Sequence, residues 1–163
     1  MKTCLLTVII FFTTLASSGQ SPETQAPLNA RVLAFAQQNI GRQVGNGQCA
    51  VLPYEALRAV GGWHGQVSNY VWGRRVTSQP LPGDIVQFEN CRFEGPGYWM
   101  SMPHHTAIIQ AQEAPGVFRI LHSNVGGDLR VQQGRINLWH RRKGTIAVYR
   151  PLLALGKKVF PGR

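Results

Sequence analysis

The stretch Leu81-Pro82-Gly83-Asp84-Ile85-Val86-Gln87-Phe88 decides the fold, because it joins a turn signal to the start of a strand. Proline and glycine favour a turn, and the residues that follow include two that are β-branched. Similar short runs recur, separated by turn signals such as Glu113-Ala114-Pro115-Gly116. The predicted strands cover residues 84–88, 105–111, 117–124, 129–132 and 145–149. The second half of the chain therefore predicts a meander of about five antiparallel strands.

The residues before this stretch have the periodicity of helices. Apolar residues recur at helical spacing over 28–40, and residues 50–60 are rich in helix formers and precede two glycines. Residues 63–82 are irregular and predict loops around at most one short helix, while residues 90–103 predict a binding loop. Helices followed by strands favour an α+β fold, with the N-terminal helices packed on a curled antiparallel β-sheet.

The N-terminal residues have the pattern of a secretory signal. A basic start precedes an apolar run over residues 4–16, and small residues follow it. The run is too short for a transmembrane helix, although an uncleaved N-terminal anchor is an alternative. We therefore predict a signal peptide over 1–19, a polar leader over 20–27, one folded domain over 28–151 and a basic tail over 152–163.

The charge of the chain favours anionic partners. Its 17 lysines and arginines outnumber 7 aspartates and glutamates, which gives a net charge of +10. The basic residues are spread along the chain, and no aromatic and basic motif typical of nucleic-acid binding stands out. We expect no nucleic-acid partner, no stable membrane anchor and a monomer. A solvated basic surface without a specific partner is the alternative.

Two cysteines remain outside the signal peptide, Cys49 and Cys91, and such a pair in an exported chain forms a disulfide by default. Cys49, however, lies at the start of a predicted helix, where unpaired N–H groups favour a thiolate. Pro53 weakens this argument, because it lacks the N–H that would bond to the Cys49 carbonyl, so the helix must begin later or loosely. Both hypotheses, a reactive thiol and a disulfide, stay open.

A base for Cys49 is available on the predicted strands. His104 and His105 are adjacent at the start of the second strand, and because strand alternation points them to opposite faces, only one of the two is able to face the cysteine. His122 and Asn124 are two residues apart on the third strand, so either side chain is able to orient the His105 ring. They could also simply satisfy backbone groups at the end of the strand.

An acyl-transfer site also needs hydrogen-bond donors for the oxyanion and residues that contact the substrate. The backbone N–H of Cys49 is the first candidate donor, with Gln48 and Gln43 as candidates for the second. We predict that Gln48, Trp72 and Trp99 contact the substrate. Aromatic residues in a chain of this size are also common in the core.

Three of these residues also suit zinc, namely Cys49, His105 and His122. No closely spaced pair of ligands is present in the sequence, and a fourth ligand is not obvious. We therefore predict no metal and no other cofactor.

The order of these motifs resembles the CHAP and NlpC/P60 families of papain-like amidases and peptidases. The matching strings are Gly47-Gln48-Cys49-Ala50, the stretch over 81–88, His105-Thr106-Ala107-Ile108-Ile109 and Ser123-Asn124. The resemblance implies a papain-like fold with Cys49 as nucleophile and His105 as base. It also implies that His122 or Asn124 is the third catalytic residue, with His122 at a position where CHAP domains commonly have Glu.

The resemblance, the export signal and the positive charge together imply a function. We expect a secreted cysteine hydrolase that cleaves an amide bond in peptidoglycan through a Cys49 thioester, with peptidoglycan or other anionic cell-wall material as its partner. The chain lacks the aromatic residue that commonly follows the cysteine in these families. The alternative is a secreted basic binding protein of the same fold, inactive because Cys49 and Cys91 form a disulfide.

Overall fold

The computed structural model describes residues 27–154, which contain two α-helices and one six-stranded antiparallel sheet. The elements are α1 (Leu28–Gln38), α2 (Val51–Ala59), β1 (Arg74–Val76), β2 (Ile85–Gly95), β3 (Tyr98–Ala114), β4 (Val117–His122), β5 (Gln132–Asn137) and β6 (Arg141–Arg150). The strands are ordered β1-β6-β2-β3-β4-β5 in the sheet. The predicted signal peptide lies outside these residues, as do most of the leader and of the basic tail.

The sheet buries apolar side chains on both faces. One face packs on the helices, where Ile108 and Leu121 of the sheet join Val32 of α1 and Leu57 of α2. The other face forms a second core, in which residues from β2 to β6 meet. Its members include Val86, Phe88, Ala107, Ile109, Ile120, Ile136 and Ile146. The end strand β5 and the strand β6, which lies next to the other end, share this core, so the sheet is curled.

The register of β2 and β3 decides where the two adjacent histidines point. Phe88 pairs with His105, and Glu89 pairs with His104. Because successive side chains of a strand point to opposite faces, His104 lies on the helix side of the sheet and His105 on the side of the second core.

The turn before β2 ties the helices to the sheet through Asp84, which is completely buried. Its carboxylate accepts hydrogen bonds from the Leu81 N–H at 2.9 Å and from the Asn29 side chain of α1 at 2.6 Å. Two nitrogens of Arg150 in β6 donate to it at 2.9 and 3.1 Å. Asp84 is thus a structural residue of the turn, because all these bonds hold separate elements together.

The predicted order of helices and strands is confirmed. The helix α2 begins at Val51, with Ala50 as its N-cap, and so starts after Cys49. Pro53 therefore falls in the first turn, where a missing N–H is tolerated. Neither helix within residues 27–154 has the length and apolarity needed to cross a bilayer.

Several predicted boundaries are wrong. The expected loop over 90–103 is instead the long hairpin of β2 and β3, in which Asn90 has a φ of 51° and a register shift interrupts the pairing of β2 with β6. That irregularity hides the alternation of the strand in the sequence. The third predicted strand ends at His122 instead of 124, and the fourth begins only at Gln132. The short β1 was not expected.

Candidate active site

Cys49 lies in the loop that leads into α2 and is 8% exposed. Its Sγ is 4.0 Å from the backbone oxygen of His104 in β3. The residue before it anchors the loop to the end of β4, because Gln48 accepts hydrogen bonds from Asn124 Nδ2 at 2.8 Å and from Ser123 Oγ at 3.4 Å. The loop before Cys49 is therefore fixed by the strand that carries His122.

His105 and His122 form a buried pair on the side of the second core. His105 Nε2 lies 3.0 Å from His122 Nδ1, and the two rings meet edge to face. Burial, followed by the neighbouring His122, lowers the pKa of His105 from 6.5 to about 4. Burial lowers the pKa of His122 to about 4 as well. Both rings are consequently neutral near pH 7.

The room for the His122 ring comes from Gly134 on β5. A Cβ at this glycine would lie 2.5 Å from His122 Nε2 and 2.9 Å from its Cε1. Any side chain at position 134 would therefore displace the ring, and through it His105.

Cys49 and His105 line one cavity of about 440 Å³, which we call the Cys49 cleft. Its walls are Asn46, Gln48, Cys49, Ala50, Val51, Val67, Tyr70, Ser101, Met102, Pro103, His104, His105 and Asn124. No hydrogen bond joins the Cys49 sulfur to the His105 ring among the described residues. Because Nε2 of His105 is used by His122, Nδ1 is the ring nitrogen available to the thiol.

A further histidine, His104, borders the same cleft on the helix side and is paired with a glutamate. His104 Nδ1 lies 2.6 Å from Glu89 Oε2, and the His104 ring meets Tyr70 edge to face with centroids 3.7 Å apart. Glu89 is in turn held by Gln87, whose Nε2 donates to Glu89 Oε1 at 2.9 Å. Gln87 Oε1 accepts from Thr106 Oγ1 at 2.6 Å. The chain of hydrogen bonds orients the His104 ring.

The predicted site residues divide into those at the cleft and those away from it. Gln48 and Asn124 line the cleft, and Asn124 contacts Gln48 and not the His105 ring. Trp72 is 1% exposed in the core, and Trp99 lies on the outer part of the hairpin with 70% exposure. Neither tryptophan lines the cleft, which corrects their assignment there.

Gln43 is also placed differently from what an oxyanion donor requires. Its Nε2 donates to the Gly45 carbonyl at 3.1 Å, and it is absent from the cleft wall. Gln48 is therefore the better placed of the two glutamines.

Sequence reasoning missed Glu89. The signal for Glu89 was present, because Gly95 and Tyr98 pair across the hairpin turn and counting back along both strands pairs Glu89 with His104. Reading the segment as a loop removed that register.

The two cysteines within residues 27–154, Cys49 and Cys91, are both free thiols. Cys91 is buried in the second core, and its Sγ contacts the Thr145 carbonyl at 3.2 Å. The expected alternative, a disulfide between Cys49 and Cys91, is therefore absent from this structure. Within residues 27–154, no group of three or more His, Cys, Asp or Glu side chains is arranged to hold a metal ion.

Residues 23–157 match the AIM3/BBC1 cysteine proteinase-fold domain. The chain belongs to this family. A curated relative is Altered inheritance of mitochondria protein 3 of the yeast Debaryomyces hansenii, 25% identical over 146 residues that cover 76% of this chain. The match covers 16% of that protein, so this AIM3/BBC1 domain spans a small part of its relative's length.

Solved structures resemble the AIM3/BBC1 domain in fold. The crystal structure of Ly7917 has a TM-score of 0.52 and 18% identity, and it covers 74% of this chain and 61% of its own. A second structure, Ly7917 with the hydrolysing product of MDP, has a TM-score of 0.51 and 20% identity over 74% of this chain and 62% of its own. The cysteine proteinase fold implied by the resemblance is thereby confirmed, while the nearer likeness to CHAP and NlpC/P60 domains stays a prediction.

The predicted function as a secreted peptidoglycan hydrolase is wrong. The chain belongs to the AIM3/BBC1 family, and its relative is a yeast protein named for the inheritance of mitochondria. The same finding overturns the secreted binding protein, the cell-wall partners and the secreted location. The physical reason is that a shared fold carries many unrelated activities, so motifs that report the fold do not report the substrate. The location had been predicted from the apolar run over residues 4–16, a pattern that does not by itself establish export.

Proposed function

We propose that this AIM3/BBC1 domain is a cysteine hydrolase of the amidase or peptidase class, with Cys49 as the nucleophile. In this proposal His105 is the base and His122 orients it. The observation that carries the proposal is the Cys49 cleft. The Cys49 thiol lines this cavity together with the His105 imidazole, which is neutral and held by His122. The order of the motifs, which resembles CHAP and NlpC/P60 enzymes, supports the same roles.

The first step forms a thioester. His105 Nδ1 accepts the Cys49 thiol proton while Sγ attacks the substrate carbonyl carbon. The His105 Nε2–H then donates to His122 Nδ1, which stabilises the charged ring that results. This division of nitrogens fixes the tautomer, since the nitrogen that accepts the proton must be the one without a hydrogen.

The oxyanion needs donors in the same place. The Cys49 backbone N–H donates to no other group in residues 27–154, so it is available to the developing negative charge. Gln48 is the proposed second donor, because its Oε1 is occupied by Asn124 and its Nε2 is the end left for the substrate. Asn124 is therefore a positioning residue in this scheme.

Collapse of the tetrahedral intermediate releases the amine. The charged His105 ring gives its proton to the departing nitrogen, and the acyl group remains on Cys49. Water then attacks the thioester carbonyl while neutral His105 takes a proton from it. That proton returns to the sulfur when the carboxylic acid leaves, which restores the starting state.

A test of this proposal is covalent capture of the acyl group. The full chain, kept reduced, is mixed with p-nitrophenyl acetate and a peptide p-nitroanilide, and modified residues are mapped by mass spectrometry. The expected results are an acetyl group on Cys49 and release of p-nitroaniline. Cys49→Ala should lose both, because no other group supplies the nucleophile.

Cys91→Ala is the matched control, since Cys91 is the other free thiol of the described residues and lies in the second core. It should keep both the Cys49 adduct and the release of p-nitroaniline. If wild type and Cys49→Ala give the same adducts and rates, the hydrolase proposal fails and a non-catalytic domain of this fold takes its place.

A further inference from the structure

A second cavity of about 280 Å³ adjoins the Cys49 cleft on the outer face of the hairpin. It is lined by Asn90, Cys91, Arg92, Ser101, Pro103 and Lys143. Ser101 and Pro103 also line the Cys49 cleft, so the two cavities are parts of one surface. We call the second cavity the Arg92 groove.

The Arg92 groove carries excess positive charge. Glu94 contacts Arg92 at 2.7 Å and Arg142 at 3.9 Å, so one carboxylate faces two guanidinium groups. Lys143 pairs with Arg92 across the sheet and has no acidic partner among the described residues. Arg92 and Arg142 therefore share one carboxylate while Lys143 has none, so the groove and its border have a net positive charge that favours a further anionic group.

An exposed aromatic ring adjoins these charges. Trp99 is 70% exposed, and the Arg92 guanidinium carbon lies 6.0 Å from the centroid of its ring. A large apolar ring beside Arg92 and Lys143 offers a bound polypeptide both apolar surface and positive charge. Trp99 is thus outside the Cys49 cleft but next to the groove that continues it.

We propose that the Arg92 groove is a subsite for acidic side chains of a polypeptide substrate. This inference rests on the proposed function of the Cys49 cleft, because a chain whose carbonyl lies at Cys49 would reach the groove past Ser101 and Pro103. Acidic side chains would take the charge left free on Arg92 and Lys143. The substrate class is therefore an acidic segment of a polypeptide.

A polypeptide fits better than other anions because the groove and the cleft are continuous. The cleft itself is lined by uncharged polar groups, such as Asn46, Gln48 and Ser101, and the charge lies beside it. A nucleic acid or an anionic lipid surface would require phosphate contacts along the whole path. A peptide needs charge only where its acidic side chains fall.

The experiment measures binding without turnover. The full chain carrying Cys49→Ala is titrated into a labelled peptide with alternating glutamate and alanine, and into the same peptide with glutamine in place of glutamate. The expected result is about tenfold tighter binding of the glutamate peptide at low salt, declining as salt screens the charges. Adding Arg92→Gln and Lys143→Gln should remove most of this preference.

The matched control adds Arg74→Gln and Arg75→Gln instead, which removes the same charge from β1. The strand β1 pairs with the other end of β6, at 148–150, so the control should keep the preference. Equal binding of the two peptides would overturn the inference, as would an equal loss in both double variants. Tighter binding of a single-stranded oligonucleotide or of phosphatidylserine vesicles, lost with Arg92 and Lys143, would also overturn it.

The two proposals fail separately. If wild type forms a Cys49 adduct but the glutamate peptide has no advantage, only the inference about the groove fails. If no adduct forms but the groove still prefers the glutamate peptide, the hydrolase proposal fails and the groove stands as a peptide-binding site.

Discussion

His104 and His105 are neighbours in β3, yet the sheet puts them in opposite environments. The His105 ring is 8% exposed and contacts another neutral histidine, whereas the side chain of His104 is 41% exposed and contacts the carboxylate of Glu89. Both residues line the same cleft as Cys49. One residue type thus occurs twice beside one thiol with two different partners.

The difference shows that the environment of each histidine depends on the strand register, which sets the face and the partner of the ring, more than on its place in the sequence. A buried neutral ring such as His105 keeps one nitrogen unprotonated near pH 7, and the developing thiolate and His122 stabilise the charged form once it takes a proton. A half-exposed ring paired with Glu89 is accessible to solvent and to the substrate. The comparison therefore predicts different losses when each ring is removed.

The largest expected effect separates the two rings. His105→Ala should lower kcat/KM for a peptide anilide by about 10²–10⁴, because general acid–base catalysis contributes that much. His104→Ala should lower it less than about tenfold, since that ring is not the proposed base. Rates are measured for both variants beside Cys49→Ala.

The matched comparison for this prediction is His64→Ala, a histidine of α2's surroundings that contacts Tyr54 and does not line the cleft. It should behave as wild type. If His104→Ala is the more damaging change and His105→Ala is mild, the base is the ring paired with Glu89, and the assignment above is wrong.

The next effect is a displaced acid limit of activity. Because the pKa of His105 is about 4, the ring stays neutral as the pH falls from 7 to 5, so kcat/KM should change little there. With a histidine of the ordinary pKa of 6.5 as the base, kcat/KM would fall about 25-fold over the same range, in step with the neutral fraction of the ring. A pH profile of wild type from 4 to 8 measures it, and a midpoint near 6.5 would contradict it.

The same two rings should make stability depend on pH. Their folded pKa values, about 4, lie below the ordinary 6.5, so the unfolded chain takes up protons that the folded chain refuses. The free energy of unfolding is therefore at its full value above about pH 6.5, where neither state binds these protons, and it decreases as the pH falls from 6.5 towards 4. The loss is about 1.4 kcal/mol per pH unit for each ring. Urea unfolding of wild type and of His105→Gln at several pH values measures this loss. An equal slope of the unfolding free energy against pH in both proteins would count against it.

A smaller effect comes from the glycine beneath the His122 ring. In Gly134→Ala the new methyl group would crowd His122 Nε2, so we expect about a tenfold lower kcat and a loss of about 1–3 kcal/mol in stability. Gly65→Ala is the control, since its Cβ would meet only the end of the half-exposed Trp63 ring. Equal kcat values in both variants would show that His122 does not position His105.

The smallest effect concerns Asn124, which holds Gln48 and not His105. Asn124→Ala should raise KM and lower kcat by only a few fold, because it frees the Gln48 amide while leaving the base intact. Steady-state kinetics beside His122→Ala measures the difference. A loss from Asn124→Ala as large as that from His122→Ala would make Asn124 the third catalytic residue.

The sequence predicted much of this arrangement and not the rest. Helical spacing and strand alternation were enough for α1, α2 and the strand of His105, because these signals are local. The pairing of Glu89 with His104 was missed, since the interruption of β2 at Asn90 favoured a loop over the hairpin whose register gives that pairing. The substrate was predicted largely from a likeness of fold, which has no physical link to it. The location was predicted from the N-terminal apolar run, which lies outside the described residues.

The most direct measurement is a crystal structure of the full chain with a peptide aldehyde bound to the thiol. The account predicts a bond from Cys49 Sγ to the aldehyde carbon, with His105 Nδ1 within about 3–3.5 Å of the reacting atoms. It also predicts the new oxygen beside the Cys49 N–H and Gln48 Nε2. A structure in which the His104 ring faces the sulfur, or in which the aldehyde leaves Cys49 untouched, would contradict it.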